Sequence, residues 1–247
     1  MITIDSKLTL VTGLHIGGAD DGMKIGGVDS PVMKREIFCD KNGIIGFDSN
    51  NKKVREPYIA GSSLKGKVRS LLEHYFRLVD PLGNGDVVDS KSEFGKKEYR
   101  ELIIKLFGES AGNDGIDGEI RITRALFRDC FITQDIRKAY LDNKIEFFEV
   151  KYENVIDRKT GTTKQGGLRQ VERVISAIEF DFNMTIRVFE NDNKELFENI
   201  IILGLKLLEL DTLGGSGSRG YGRIHFDNIE SNIEDLRKKI DDEINKG

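Results

Sequence analysis

Ile178-Glu-Phe-Asp-Phe-Asn-Met-Thr-Ile-Arg-Val188 alternates apolar and polar residues without a break. A period of two over that length predicts a half-buried β-strand. A helix is predicted after it, from about Lys194 to Leu210, then a glycine-rich loop from Gly214 to Gly222, then a strand from Arg223 to Ile229. Working back to the N-terminus, Ile2 to Val11 interleaves apolar and polar positions and predicts another strand. A helix is predicted to begin at Ser62-Ser63, either of which can cap its free N–H groups. Leu64, Val68, Leu71, Leu72, Tyr75 and Phe76 form its apolar stripe. Gly118 to Phe131 predicts the remaining strand.

In chain order these elements read β-α-β-β-α-β, the ferredoxin-like arrangement also used by RNA-recognition domains. The class is therefore α+β. Three insertions interrupt it, at about 13–57, 79–118 and 133–177. Residues 19–57 read as irregular, and 86–118 as polar with a short helical piece around Leu102 to Phe107. Ile145 to Ile156 and Arg169 to Ile175 read as two strand-like arms joined by a turn-rich tip, Arg158 to Gly167. Ile233, Leu236, Ile240 and Ile244 share one face of a C-terminal helix. No internal repeat and no second domain with its own core are read.

The 247 residues, 38% of them hydrophobic, suffice for one elaborated domain or two small ones. A formal net charge of −4 lacks the basic excess of a protein that binds nucleic acid unaided, although local cationic clusters would still serve. Cys39 and Cys130 make neither a metal set nor a disulfide framework, so a reducing cytoplasm is expected. No secretory signal is read. The longest apolar run, Ile200 to Leu208, is broken by Gly204 and Lys206 and is too short to cross a membrane.

Three motifs carry chemical content. Gly61-Ser-Ser-Leu-Lys-Gly-Lys67 has the letter spacing of a P-loop, but Val68 stands where a magnesium-binding hydroxyl is needed. What remains is a helix start beside Lys65, Lys67 and Arg69, suited to a phosphate or simply a solvated basic face. Gly215-Ser-Gly-Ser-Arg-Gly220 has the letters of a dinucleotide fingerprint, but a helix precedes it and a strand follows, the reverse of what that motif needs. It reads as a loop lying against a backbone, with Arg219 reaching a phosphate. The loop from His15 to Pro31 holds Asp20, Asp21 and Asp29. A loop aspartate there can bind a metal ion or position a water or a ribose hydroxyl, while an Asx turn before Pro31 would explain Asp29 structurally. His15 is either an acid–base group or a hydrogen-bonding fixture.

Taken together, Thr12-Gly-Leu-His-Ile-Gly-Gly18, Asp29-Ser-Pro-Val32, Gly61 to Lys67, Leu106-Phe-Gly108, Lys151-Tyr-Glu-Asn154, Ile156-Asp-Arg158, Arg169 to Val174 and Leu207 to Gly222 resemble one family in order. It is the repeated backbone subunit of the type III-A CRISPR interference complex, the Csm complex, in the RAMP superfamily. The resemblance implies one RAMP domain over 1–247: an RRM-like palm (about 1–18, 58–80, 118–132 and 177–230), helical fingers and loop insertions (19–57 and 81–117), a β-hairpin thumb (145–176) and a C-terminal helix (231–245). It implies crRNA and target single-stranded RNA as ligands, head-to-tail copies of the chain and other Csm subunits as partners, and no membrane.

The resemblance also implies a metal-dependent endoribonuclease with Asp29 as catalytic residue and as ligand of a divalent ion, Mg2+ or Mn2+. His15, Lys65, Lys67, Arg69, Ser216, Arg219 and Tyr221 are expected on the guide, and Arg158, Lys164, Arg169 and Arg173 on RNA at the thumb, with Gln170 beside them. An inactive scaffold, or a metal-independent guide-processing enzyme acting through histidine or tyrosine, are the alternatives. The stretch Lys41 to Glu56 departs from the pattern and reads as a surface hairpin or an added partner contact. Glu109, Asp114 and Asp117 are candidate fingers acids, and no zinc is expected.

Overall fold

The computed structural model describes residues 1–18, 30–109 and 122–246. Its centre is β8 (Glu179–Ile186), where Phe180, Phe182, Met184 and Ile186 all point inward and are at most 2% exposed. On one side β8 pairs antiparallel with β1 (Ile2–Leu10), with Leu8 opposite Phe180 and Ile4 opposite Met184. On the other it pairs with two short strands, β4 (Ala125–Phe127) and β5 (Cys130–Ile132). β9 (Ile224–Phe226) closes the far side of β1. With β2 (Lys34–Cys39) and β3 (Lys52–Ile59) beyond β5, the sheet order β2-β3-β5-β8-β1-β9 therefore contains the order fourth-first-third-second of a split β-α-β core.

Two core helices, α1 (Gly61–Tyr75) and α4 (Lys194–Leu210), pack on each other. They meet at Gly204, where an added Cβ would lie 2.6 Å from a Val68 methyl. α5 (Ile233–Ile244) buries Leu236 and Ile240 against α4. α2 (Lys97–Phe107) is longer than the piece expected around Leu102.

Four expectations need correction. First, 19–57 is not wholly irregular: β2 (Lys34–Cys39) and β3 (Lys52–Ile59) form a hairpin that extends the sheet through Tyr58 and Phe131. Its alternation is hidden because Glu56 fills an inward position. The fully buried Glu56 is held by Arg35 at 2.6 Å and Arg137 at 2.7 Å. Second, Arg137 belongs to α3 (Gln134–Leu141), a short polar helix that the sequence pattern does not announce. Third, the strand expected over 118–131 is broken at Arg128–Asp129. Fourth, neither Ser62 nor Ser63 caps α1. Ala60 is the N-cap, and the Asp129 carboxylate accepts the Gly61 N–H at 2.8 Å. The helix start sits too close to the sheet for anything but glycine, since a Cβ on Gly61 would lie 2.6 Å from the Phe127 carbonyl.

The two arms between 145 and 175 do pair. β6 (Phe148–Glu153) and β7 (Arg169–Val174) form a separate antiparallel hairpin with Lys151 opposite Val171.

Candidate functional site

Because β1 and β9 are neighbours, the loop leaving β1 meets the loop entering β9. Val11 and Thr12 donate to the Arg223 carbonyl at 2.9 and 3.2 Å, Gly222 to Gly13 at 2.9 Å, and Gly215 to His15 at 2.9 Å. The two glycine-rich stretches singled out in the sequence are thus one structure. Gly222 has a φ of 69°, and a Cβ there would fall 1.9 Å from the Leu213 carbonyl, so no other residue fits without rebuilding the turn.

The hairpin is tied to the same place. Leu14 and Val174 exchange backbone hydrogen bonds of 2.9 and 2.8 Å, and the Glu172 N–H donates to the Ser30 carbonyl at 3.2 Å. The buried Glu172 carboxylate accepts from the Val32 N–H at 3.0 Å and from Lys34 Nζ at 2.6 Å. His15 completes the junction: its Nδ1 lies 2.7 Å from the Glu172 carbonyl and its Nε2 3.1 Å from Ser30 Oγ. A carbonyl only accepts, so Nδ1 carries a proton, and a neutral ring then accepts from the Ser30 hydroxyl through Nε2. With the ring buried and both nitrogens used, His15 is a brace, and neither nitrogen is free to move a proton on RNA.

Asp29, together with Asp20 and Asp21, lies outside the described residues. The described residues on either side of them are tied together: Gly18 donates to Pro31 at 3.1 Å, Met33 to Ile16 at 2.9 Å, and Ser30 is held by His15. Asp114 and Asp117 also fall outside. Glu109 accepts the Ser90 N–H at 2.9 Å.

In the second loop Ser216 is left-handed, with a φ of 62°, ahead of a 3-10 turn over Gly217–Arg219. Among the described residues the N–H groups of Ser216, Gly217 and Ser218 have no acceptor, an arrangement that suits an anion. Arg219 is exposed and forked between Ser216 Oγ at 2.5 Å and Glu153 Oε2 at 2.8 Å. Tyr221, expected on the guide, is fully buried. Its hydroxyl donates to Glu153 at 2.9 Å, and Lys151 and Arg173 lie over its ring at 4.2 and 5.1 Å. Burial, then the Glu153 hydrogen bond, raises its pKa. Tyr221 thus positions Arg219 and the hairpin base and offers no face to a base.

The remaining cations divide. Lys67 pairs with Asp211 at 3.0 Å and so anchors the start of the second loop. Lys65 is half-buried, and burial, with Arg69 nearby, lowers its pKa. Arg69 is engaged within the chain: Nε pairs with Glu73 at 2.7 Å, Nη1 donates to Gly108 at 2.9 Å and Nη2 to Val88 at 2.5 Å. With these three partners it pins the segment after α1 in place. Arg173 pairs with Glu149 at 2.6 Å. Arg158 and Lys164 at the hairpin tip, and Arg169 at the start of β7, are exposed and form no ion pair among the described residues. Gln170 lies across from Tyr152.

The residues missed from the sequence are Glu153, Glu172, Ser30 and Lys151, which build the junction. Their signal was present in Lys151-Tyr-Glu153 and Glu172-Arg-Val174, but their partners are up to 157 positions away. Among the described residues, no three His, Cys, Asp or Glu side chains come together as a metal-ligand set. No described helix is long and apolar enough to cross a membrane.

Residues 7–225 match the family model of the RAMP superfamily. The chain is 37% identical over 229 residues to the CRISPR system Cms endoribonuclease Csm3 of Methanocaldococcus jannaschii, covering 93% of this chain and 79% of that protein. It is 35% identical to the protein of the same name from Streptococcus thermophilus, over 93% and 89% of the two chains. With the one from Mycobacterium tuberculosis it shares 35% identity, over 93% and 88%.

Proposed function

Because the chain belongs to the RAMP superfamily, and within it to the Csm3 endoribonucleases, we propose that it is the crRNA-binding backbone subunit of a type III-A interference complex and cuts complementary target RNA at regular intervals. One observation supports this most. At the His15 junction both glycine-rich loops, the base of the 148–174 hairpin and the residue next to Asp29 are tied together within hydrogen-bond distance. A guide phosphate held at the second loop, a hairpin set against the duplex and an aspartate at the cut site would share one rigid base. In this reading the sheet with α1 and α4 is the palm, 81–117 the fingers and 145–176 the thumb of a single RAMP unit. Copies stack head-to-tail on crRNA beside other Csm subunits, in the cytoplasm.

The chemistry asks little of the protein. RNA carries its own nucleophile, the 2′-hydroxyl, and cutting needs in-line geometry and charge stabilisation at the phosphate. The exposed cations Arg158, Lys164 and Arg169 suit a displaced strand. The free N–H groups of Ser216 to Ser218, with Arg219, suit the guide backbone. Lys67, Arg173 and Tyr221 hold those groups in place. Asp29 is the proposed catalytic residue and ligand of a divalent ion, Mg2+ or Mn2+, which when bound would neutralise charge at the scissile phosphate. The metal-independent alternative loses support at His15 and Tyr221, both buried and engaged.

The test is cleavage of guide-complementary RNA by the assembled complex. Evenly spaced products with magnesium or manganese, lost on adding EDTA, are expected. Undiminished cutting in EDTA would overturn the metal, and intact RNA under all conditions would make the chain a scaffold.

A further inference from the structure

The RNA site leaves two exposed apolar patches unused. At the turn end of the β2–β3 hairpin, Phe38, Ile44, Ile45 and Phe47 are exposed, Phe47 to 93%, with the Phe38 and Phe47 rings 6.3 Å apart. Beside them Lys41, Lys52 and Arg55 are exposed and, among the described residues, form no ion pair, while the Asp40 and Asp48 carboxylates of the same turn accept from its backbone N–H groups. The second patch lies after α1, where residues 78–94 enclose a cavity of about 380 Å³. Leu82, Val87 and Phe94 are exposed around it, Leu82 to 94%. Its charges are the opposite ones: Asp80, Asp86, Asp89 and Glu93 against Lys91. The cavity is preformed, because Arg69 holds the Val88 carbonyl, Glu73 the Val88 N–H and Glu109 the Ser90 N–H. One patch is an apolar knob whose rim carries cations beside Asp40 and Asp48, and the other a cup of mixed polar and apolar lining with exposed apolar side chains and mostly carboxylates around it. Patches of this kind on a soluble chain mark contact surfaces.

We propose that the β2–β3 hairpin of one copy seats Phe47 and its apolar neighbours in the 78–94 cavity of the next copy, with Lys41, Lys52 and Arg55 facing Asp86 and Glu93. The two surfaces differ, so the contact is heterologous and propagates rather than closing on itself as a two-fold dimer. This rests on the head-to-tail stacking proposed above and assigns to it a surface built from a segment that departs from the family pattern. Apolar burial supplies the affinity, and the opposed rims set the orientation.

The test is binding of the full chain to a single-stranded RNA several subunits long, followed by sedimentation velocity. Phe47→Asp removes the knob and keeps the cup, and Leu82→Asp puts a charge on the apolar rim of the cup and keeps the knob. Both residues are almost fully exposed, so unchanged melting temperatures are expected. Wild type should form contiguous strings, and either variant alone should need at least about tenfold more protein for half-saturation. An equimolar mixture should recover pairs, since one variant's knob fits the other's cup. Phe47→Asp strings indistinguishable from wild type, or a mixture no better than its components, would overturn the knob-and-cup contact while leaving stacking intact. Wild type that binds only as isolated monomers would overturn the stacking itself.

Discussion

A Cβ on Gly214 would sit 2.3 Å from the His15 carbonyl, at a φ of 76°. Gly214→Ala is therefore expected to cost about 2 kcal/mol or more in chemical denaturation and to weaken guide binding, because it forces the two loops apart. Single residues also set the alkaline limit. Burial pushes the Cys130 thiol up to about 12, and burial followed by the hydrogen bond to Asp241 does the same to the Tyr99 hydroxyl. Raised values mean that their stabilising contribution is complete below the ordinary values of 9 and 10 and is lost as pH rises towards 12. The melting temperature should fall across that window, and in Cys130→Ala the fall should begin about one pH unit later. A profile flat to pH 12 would contradict both assignments.

Among the elements, α1 separates resemblance of letters from mechanism. Gly66 occupies the second glycine position of the P-loop spacing, yet it lies mid-helix with nothing within 4 Å of an added Cβ. Gly66→Ala should raise stability by about 0.5–1 kcal/mol. A loss would show that Gly66 is needed for something else. The β2–β3 hairpin makes the opposite case. Glu56→Ala strands Arg35 and Arg137 around an uncompensated buried site and should cost about 3–5 kcal/mol, measurable by urea denaturation. These two elements also show what the sequence made legible. β8, α4 and α5 are plain because their inward positions are apolar, Asn199 of α4 excepted, so periodicity alone locates them. β3 is obscured because the inward Glu56 is satisfied by arginines from β2 and α3, a compensation visible only in three dimensions. α3 fully buries only Arg137, and its apolar face is short, Ile136, Tyr140 and Leu141, each only partly buried.

For the whole molecule, the acidic total coexists with local groups suited to RNA. Replacing Arg158, Lys164 and Arg169 together should lower the slope of log affinity against log salt by roughly two on single-stranded RNA. An unchanged slope would place those cations in solvent. The residue types of the site were readable, since glycines, a histidine and clustered cations announce themselves. Their division of labour was not. His15 became a brace, Arg69 a clamp and Tyr221 a support through contacts with Glu172, Glu73 and Glu153, acids whose roles depend on tertiary placement. The described residues on either side of Asp29's segment, Gly18, Ser30 and Pro31, are hydrogen-bonded beside the hairpin base. The most direct measurement is therefore target-RNA cleavage by the assembled complex carrying Asp29→Ala, read beside its RNA affinity. Lost cleavage with unchanged affinity and assembly is the predicted result. Cleavage at the wild-type rate, or failure to assemble, would contradict a catalytic Asp29.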